Sequence, residues 1–244
     1  MPRRCIVVMR GGPGAEREVS LRSGEAVATA LRSRGHEVVE IDPRNRTFTL
    51  PAEADVVFLA LHGAYGEDGS IQRELEALRV PYTGCSAQTS CVAFDKVVTK
   101  ECCTSADVRT PTFAVLDSAD ADWPQHLPPP VVLKPVRQGS SMGLHFIHSV
   151  EDEEEWKEAL QDCLKYDTRA LLERRISGRE CTVSILDGQV LPVVEVKPRS
   201  PSTPQGRRST VARRNSQRMS RTRFRPPRSR RFRPWVAETT GAWM

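Results

Sequence analysis

No two of the seven cysteines in this 244-residue chain are spaced CxxC, and none pairs at a metal-ligand spacing. The adjacent pair Cys102-Cys103 is poor geometry for a disulfide or a metal. A disulfide framework and a structural zinc site are therefore excluded, and the cysteines read as ordinary buried or half-exposed thiols. No apolar run approaches the ~20 residues of a membrane helix. The opening MPRRCIVVMRGGPG has two arginines, but its apolar pentad is too short for a secretory core and lacks a small-residue cleavage site. A cytoplasmic location with no membrane partner is expected. Residues 201–244 contain no lysine, no aspartate and no tyrosine.

What is present divides into two unlike parts. Residues 201–244 hold 12 arginines and one acid, Glu238, a net +11, whereas residues 1–200 hold 24 basic and 30 acidic side chains. The overall charge of +5 averages an acidic globular portion and a basic tail.

In the acidic portion, CIVVM (Cys5–Met9) is a short continuous apolar run, as a buried parallel strand has. Residues 16–34 carry Val19, Ala26, Val27, Ala30 and Leu31 near helical spacing, and Gly35 ends them. Residues 38–41 and 56–61 read as further strands. This order predicts an open parallel α/β sheet, with ligand loops at the C-terminal strand ends: GGPGAERE and LHGAYGEDGS. Helices are expected over 70–78, 95–103 and 151–166, and strands over 112–116, 131–134, 144–148, 170–173, 180–186 and 190–197. Asp187-Gly188 reads as a two-residue hairpin turn. A second, α+β unit thus begins near residue 95.

Between two of those strands lies KPVRQGSSMG, residues 134–143. Lys134 ends an apolar strand, where its ammonium can emerge at a site edge. Gly139 and Gly143 allow backbone conformations that turn N–H groups onto an anion, and Ser140 and Ser141 add hydroxyl donors. The same composition also suits a plain turn, and the loop lacks the GK[ST] of a P-loop. His62, with Glu67 and Asp68, follows the third strand. Glu16 and Glu18 open a helix, where the dipole favours acids whatever they bind. Lys96 begins another helix, where a cation is electrostatically out of place and an anionic partner would suit it.

Five stretches stand out in order along the acidic portion: GGPGAEREVSLRSG, LALHGAYGEDGSIQ, PYTGCSAQTSCVAFDKVVTK, VVLKPVRQGSSMG and LLERRISGRECTVSIL. In order and spacing they resemble the D-alanine–D-alanine ligases of the ATP-grasp superfamily. The chain resembles that family from about Cys5 to about Pro198. The resemblance implies an N-terminal substrate-binding α/β domain over 1–94 and an incomplete ATP-grasp region over 95–198. It also implies that GSSMG covers phosphate. Glu16 would hold the ammonium of the first D-alanine, His62 would lie beside its carboxylate, and Ser140 would touch it. Lys96, Lys134, Gly139, Ser140 and Ser141 would contact ATP phosphates. Glu173, Arg174, Arg175 and Ile176 would line the adenine pocket, with Glu180 on the ribose. The implied reaction is ATP-dependent joining of two D-alanines through an acyl phosphate, for peptidoglycan synthesis. The second substrate is left open among D-alanine, D-serine and D-lactate, and intact family members imply a homodimer.

After EVKP the resemblance stops. The family continues with a tyrosine-bearing loop and then an Asp, Glu and Asn set for two Mg²⁺; residues 201–244 offer no such acids. The expectation is a disordered tail over 199–244, translated out of frame, in a form that releases no phosphate. Arginine's many GC-rich codons motivate it. The alternative is a non-catalytic protein whose tail, with Phe224, Phe232 and Trp235 among arginines, binds nucleic acid non-specifically.

Overall fold

A computed structural model describes residues 2–196, apart from Val150, Asp152 and Asp187. The 199–244 segment, and with it every expectation about the tail, lies outside the described residues. The chain divides into two compact units, one spanning residues up to Arg175 and one beginning at Ile176.

In the first unit, β1 (Cys5–Met9) is flanked in parallel by β2 (Glu37–Ile41) and β3 (Val56–Leu59). The central strand needs no polar face because both of its faces are covered. Val7 and Met9 pack with Val57, Leu61, Tyr65, Ile71 and Leu75. Val8 points the other way, onto Ala28 of the crossover helix α1 (Arg17–Ser33) and onto Ala60. Buried Ser20 pins α1 to the strand ends, accepting from Gly11 N at 2.8 Å and donating to Ala60 O at 2.7 Å. After β3 come the short helix α2 (Ala64–Glu67), then α3 (Ser70–Ala77) and α4 (Ala87–Phe94).

Helix α4 is absent from the sequence reading for a physical reason. Its segment AQTSCVAF has no separate polar and apolar faces. Its one signal is Ser86, whose side chain accepts from Thr89 N at the helix start. Asp95 ends α4 and caps α5 (Lys96–Ser105), accepting from Val97 N and Val98 N at 3.0 and 3.1 Å.

The same unit holds a four-stranded antiparallel sheet in the order β4-β7-β5-β6: β4 (Phe113–Leu116), β5 (Val131–Pro135), β6 (His145–Ile147) and β7 (Ala170–Arg174). Strand alternation sorts its side chains. Val131, Leu133, Ala170 and Leu172 face helix α6 (Glu153–Leu164), packing on Trp156, Leu160 and Cys163. Burial pushes the Cys163 thiol up to about 12, so that cysteine serves as an apolar core group. On the opposite face Leu171 packs against Val97 of α5 and Val136. Lys134 and Glu173 belong to that face.

The second unit contains two short antiparallel ladders, β8 (Glu180–Thr182) with β11 (Val194–Val196) and β9 (Ile185–Leu186) with β10 (Gln189–Val190). The single strands expected over 180–186 and 190–197 are each interrupted. Pro192, which has no N–H to donate, sits in the second gap. Leu186 pairs with Gln189, and Gly188 before it has φ +68°; the Asp187 half of the expected turn lies outside the described residues.

Candidate nucleotide and substrate site

Glu16 precedes α1 as its cap residue, yet its carboxylate makes no capping bond. The turn before it is held by Asp42, which accepts from Gly12 N at 3.0 Å and from the Arg17 guanidinium at 2.8 Å. That guanidinium holds the Asp42 carboxyl below its ordinary range. Released from capping, Glu16 Oε1 accepts a hydrogen bond from the Ser140 hydroxyl, 124 residues away.

Ser140 sits on the β5–β6 connection, so KPVRQGSSMG is a strand-to-strand loop. Met142 N donates to Gly139 O at 3.2 Å, closing a turn whose central residues Ser140 and Ser141 have φ of +50° and +58°. The positive φ expected of Gly139 thus falls on the two serines instead. Non-glycine residues there carry of order 1 kcal/mol of strain each, a feature that concentrates at ligand clamps. Gly143, at φ +63°, has a separate requirement: a Cβ there would meet the Tyr166 ring at 2.6 Å.

His62 follows β3 and lies on the Glu16 side of the site. Its Nε2 is 3.1 Å from Ser23 Oγ, and its Nδ1 is 3.7 Å from Glu67 Oε1. The Glu67 carboxyl is raised, first by burial and then by the charge of Glu16. Two carboxylates and an imidazole are thus grouped where a zwitterion's ammonium would relieve the repulsion between the acids.

The cationic half of the site is built by α5 and the antiparallel sheet. Lys96 Nζ donates to Gln138 O at 2.7 Å and to Val136 O at 3.2 Å, at the stem of the serine loop. Burial, and then the charge of Lys134, lowers the Lys96 ammonium below its usual range. Lys134 is directly opposite Leu171 in the ladder, which makes it a diagonal same-face neighbour of Glu173. Its ammonium donates to Glu173 Oε1. Glu173 Oε2 takes Lys100 Nζ at 2.7 Å. Burial alone would raise the Glu173 carboxyl, but the two lysines outweigh it and hold it low.

Three residues that sequence reasoning missed organise this half. Lys100 stands one helical turn after Lys96, on the same face of α5, but the sequence offers no sign that it is buried. Arg137 Nε and Arg169 Nη2 reach Asp95 Oδ2 at 2.9 and 2.8 Å. The cap of α5 therefore also ties down the base of the serine loop. Asp95 itself is hidden from solvent.

The remaining expected residues are dispersed. Arg174 is exposed, its backbone N–H bonded to Thr112 O. Arg175 directs its guanidinium to the Phe146 ring, 5.0 Å from the centroid. Ile176 and Glu180 belong to the second unit, where Ile176 is exposed and Glu180 begins β8 opposite Val196. Among the described residues no group of three or more His, Cys, Asp or Glu could hold a metal ion, so their donor set does not fit the two Mg²⁺ that the family resemblance implies.

The fold, with its parallel N-terminal sheet and its antiparallel sheet, is shared with solved structures. The D-alanyl-alanine synthetase A of Vibrio cholerae superposes with a TM-score of 0.70 at 22% identity, over 82% of this chain and 69% of that one. The D-alanine–D-alanine ligase of Bacillus anthracis complexed with ATP gives 0.68 at 29% identity, over 80% and 66%. The profile of the D-ala D-ala ligase N-terminus matches residues 42–85, and that of the C-terminus matches 105–203. D-alanine–D-alanine ligases of Methylacidiphilum infernorum and Aquifex aeolicus are 43% and 44% identical over 198 and 200 residues, 80% of this chain in each case. The chain belongs to the D-alanine–D-alanine ligase family. It spans 63% and 67% of the length of those two relatives.

Proposed function

We propose that the chain carries the nucleotide site and first-substrate site of an ATP-dependent D-alanine–D-alanine ligase. The observation that carries the reading is the convergence of Lys96 and Lys134 at the stem and strand of the serine loop, with Glu16 bonded to that loop's Ser140. Two neighbouring ammonium groups, one of them lowered by burial and then by the charge of the other, favour a polyanion. An adjacent pair of carboxylates favours an ammonium. ATP and D-alanine together supply both.

In the reaction so assigned, a carboxylate oxygen of the first D-alanine attacks the γ-phosphorus and ADP leaves. The amine of the second D-alanine then attacks the acyl carbon, inorganic phosphate departs and the amine gives up a proton. Glu16 would hold the first ammonium and exchange Ser140 for it. His62 would stand by the substrate carboxylate. Lys96 and Lys134 would balance charge on the phosphates, and the Ser140–Ser141 turn would close over them, stabilising transfer by position and charge. Glu173, Arg174 and Arg175 would receive the nucleoside. Mg²⁺ has no ligand set among the described residues, and no step is assigned to it. Division at 94/95 into a substrate domain and an ATP-grasp region, a homodimer and a cytoplasmic location belong to the same proposal. No helix among the described residues is long and apolar enough to cross a membrane. The nucleic-acid alternative concerns the tail, outside the described residues.

Calorimetric titration with a non-hydrolysable ATP analogue tests this reading. Saturable binding is expected, weakened at least tenfold by Lys134→Ala, with D-alanine binding lost in Glu16→Gln. A chain that binds no nucleotide would overturn it.

A further inference from the structure

Two lysines share the Glu173 carboxylate, but they are not equivalent. Lys100 is buried, with its side chain 8% exposed. Its ammonium donates to Thr110 Oγ1 and Glu173 Oε2, both at 2.7 Å, and lies 5.0 Å from the centre of the Phe113 ring. Phe113 is directly opposite Glu173 in the sheet, so the cation is fixed from three sides. Lys134 is more exposed, at 23%, and its described hydrogen bond is the one to Glu173. One lysine is anchored; the other can leave.

We infer that Lys100 is a positioning residue whose buried ammonium remains as the permanent counter-ion of Glu173, freeing Lys134 to move onto a nucleotide phosphate. This rests on the nucleotide reading of Lys134 given above. The physical reason is the cost of an unpaired buried carboxylate. Without Lys100, Lys134 would be the only cation bonded to Glu173. Drawing it toward phosphate would strand a charge that is 13% exposed. The charged groups facing Glu173 are Lys134 from β5 and Lys100 and Lys96 from α5. From β4 the neighbour is the uncharged Phe113 ring. Lys96 is already engaged with two backbone carbonyls.

The test is the affinity of the full chain for a non-hydrolysable ATP analogue, measured by calorimetry at pH 6, 7 and 8 in wild type, Lys100→Met, Lys100→Arg, Glu173→Gln and the Lys100→Met/Glu173→Gln double variant. Lys100→Met should weaken binding at least tenfold at pH 8. The penalty relative to wild type should shrink toward pH 6, where a stranded Glu173 can take up a proton. Lys100→Arg should restore most of the affinity. In the Glu173→Gln background the Lys100→Met penalty should vanish, because a neutral amide needs no counter-ion. Thr110→Val, which removes one anchor and keeps the charge, should show the same pH signature more weakly and serves if Lys100→Met does not fold. Affinity within twofold of wild type at pH 8 would overturn the inference. So would a penalty that is equal at every pH and persists in the Glu173→Gln background, since that is what loss of packing alone produces. A wild-type chain that fails to bind the analogue sinks the nucleotide reading itself, and this inference with it.

Discussion

The antiparallel sheet of β4 to β7 and the ladders of β8 to β11 use the same kinds of residue in the same pairing, yet among the described residues only the first has a core. Val131, Leu133, Leu171 and Leu172 are fully hidden, under α6 on one face and α5 on the other. Ile185, Leu186 and Val190 are 68, 68 and 72% exposed. Aliphatic strand composition therefore reports a tendency to pair, whereas burial requires a second layer. Two of the proposed nucleotide-site residues follow the same division. Lys134 and Glu173 stand on the covered sheet, where alternation and a packed reverse face fix their directions.

Core truncation should break this contrast most sharply. Leu172→Ala is expected to cost about 3 kcal/mol in urea-unfolding free energy, through lost burial and a residual cavity. Leu186→Ser, at a side chain 68% exposed, should change it by less than about 0.5 kcal/mol. Equal costs for the two would abolish the distinction.

The brace beneath the serine loop comes next. Asp95→Ala removes a helix cap and the partner of two arginines, and should cost about 2 kcal/mol. Asp95→Asn keeps a capping oxygen and should cost about half as much. Burial would raise the Asp95 carboxyl, but the Val98 N–H and the guanidiniums of Arg137 and Arg169 leave it depressed in the folded state. A depressed carboxyl contributes stability above its unfolded pKa of ~3.9 and loses it as pH falls through the lower folded value. Wild type should therefore lose urea-midpoint stability below about pH 4 more steeply than Asp95→Asn. Parallel pH curves for the two proteins would remove Asp95 from the brace.

The smallest effect should be confined to the uncovered hairpin. Gly188, at φ +68°, connects β9 to β10. Gly188→Ala should weaken that turn by about 1 kcal/mol, speeding amide exchange at Leu186 to Val190 without moving the main unfolding transition. A matching fall in the global midpoint would mean that the ladders share the stability of the covered sheet.

Much of the architecture was legible because burial on two faces leaves a continuous apolar run. CIVVM is such a run, and it is the central parallel strand. The loop KPVRQGSSMG was legible as a glycine-serine connection between two strands, although Ser140 and Ser141, rather than Gly139, take the left-handed conformation. Helix α4 escaped notice for want of amphipathic spacing. Lys100 was also missed, because a lysine inside a helix reads as a solvated charge unless its distant partner is known.

By itself the sequence determined the strand and helix order, the family motifs and the residues available for chemistry, since those depend on local periodicity and short-range composition. Tertiary structure alone decided that Glu16 meets Ser140 across 124 positions and that Lys100 meets Glu173 across 73. It also decided which of two apolar strand groups would be covered. The physical reason is that a buried charge or an apolar strand face is stabilised by what lies opposite it in space, and separation along the chain does not reveal that partner.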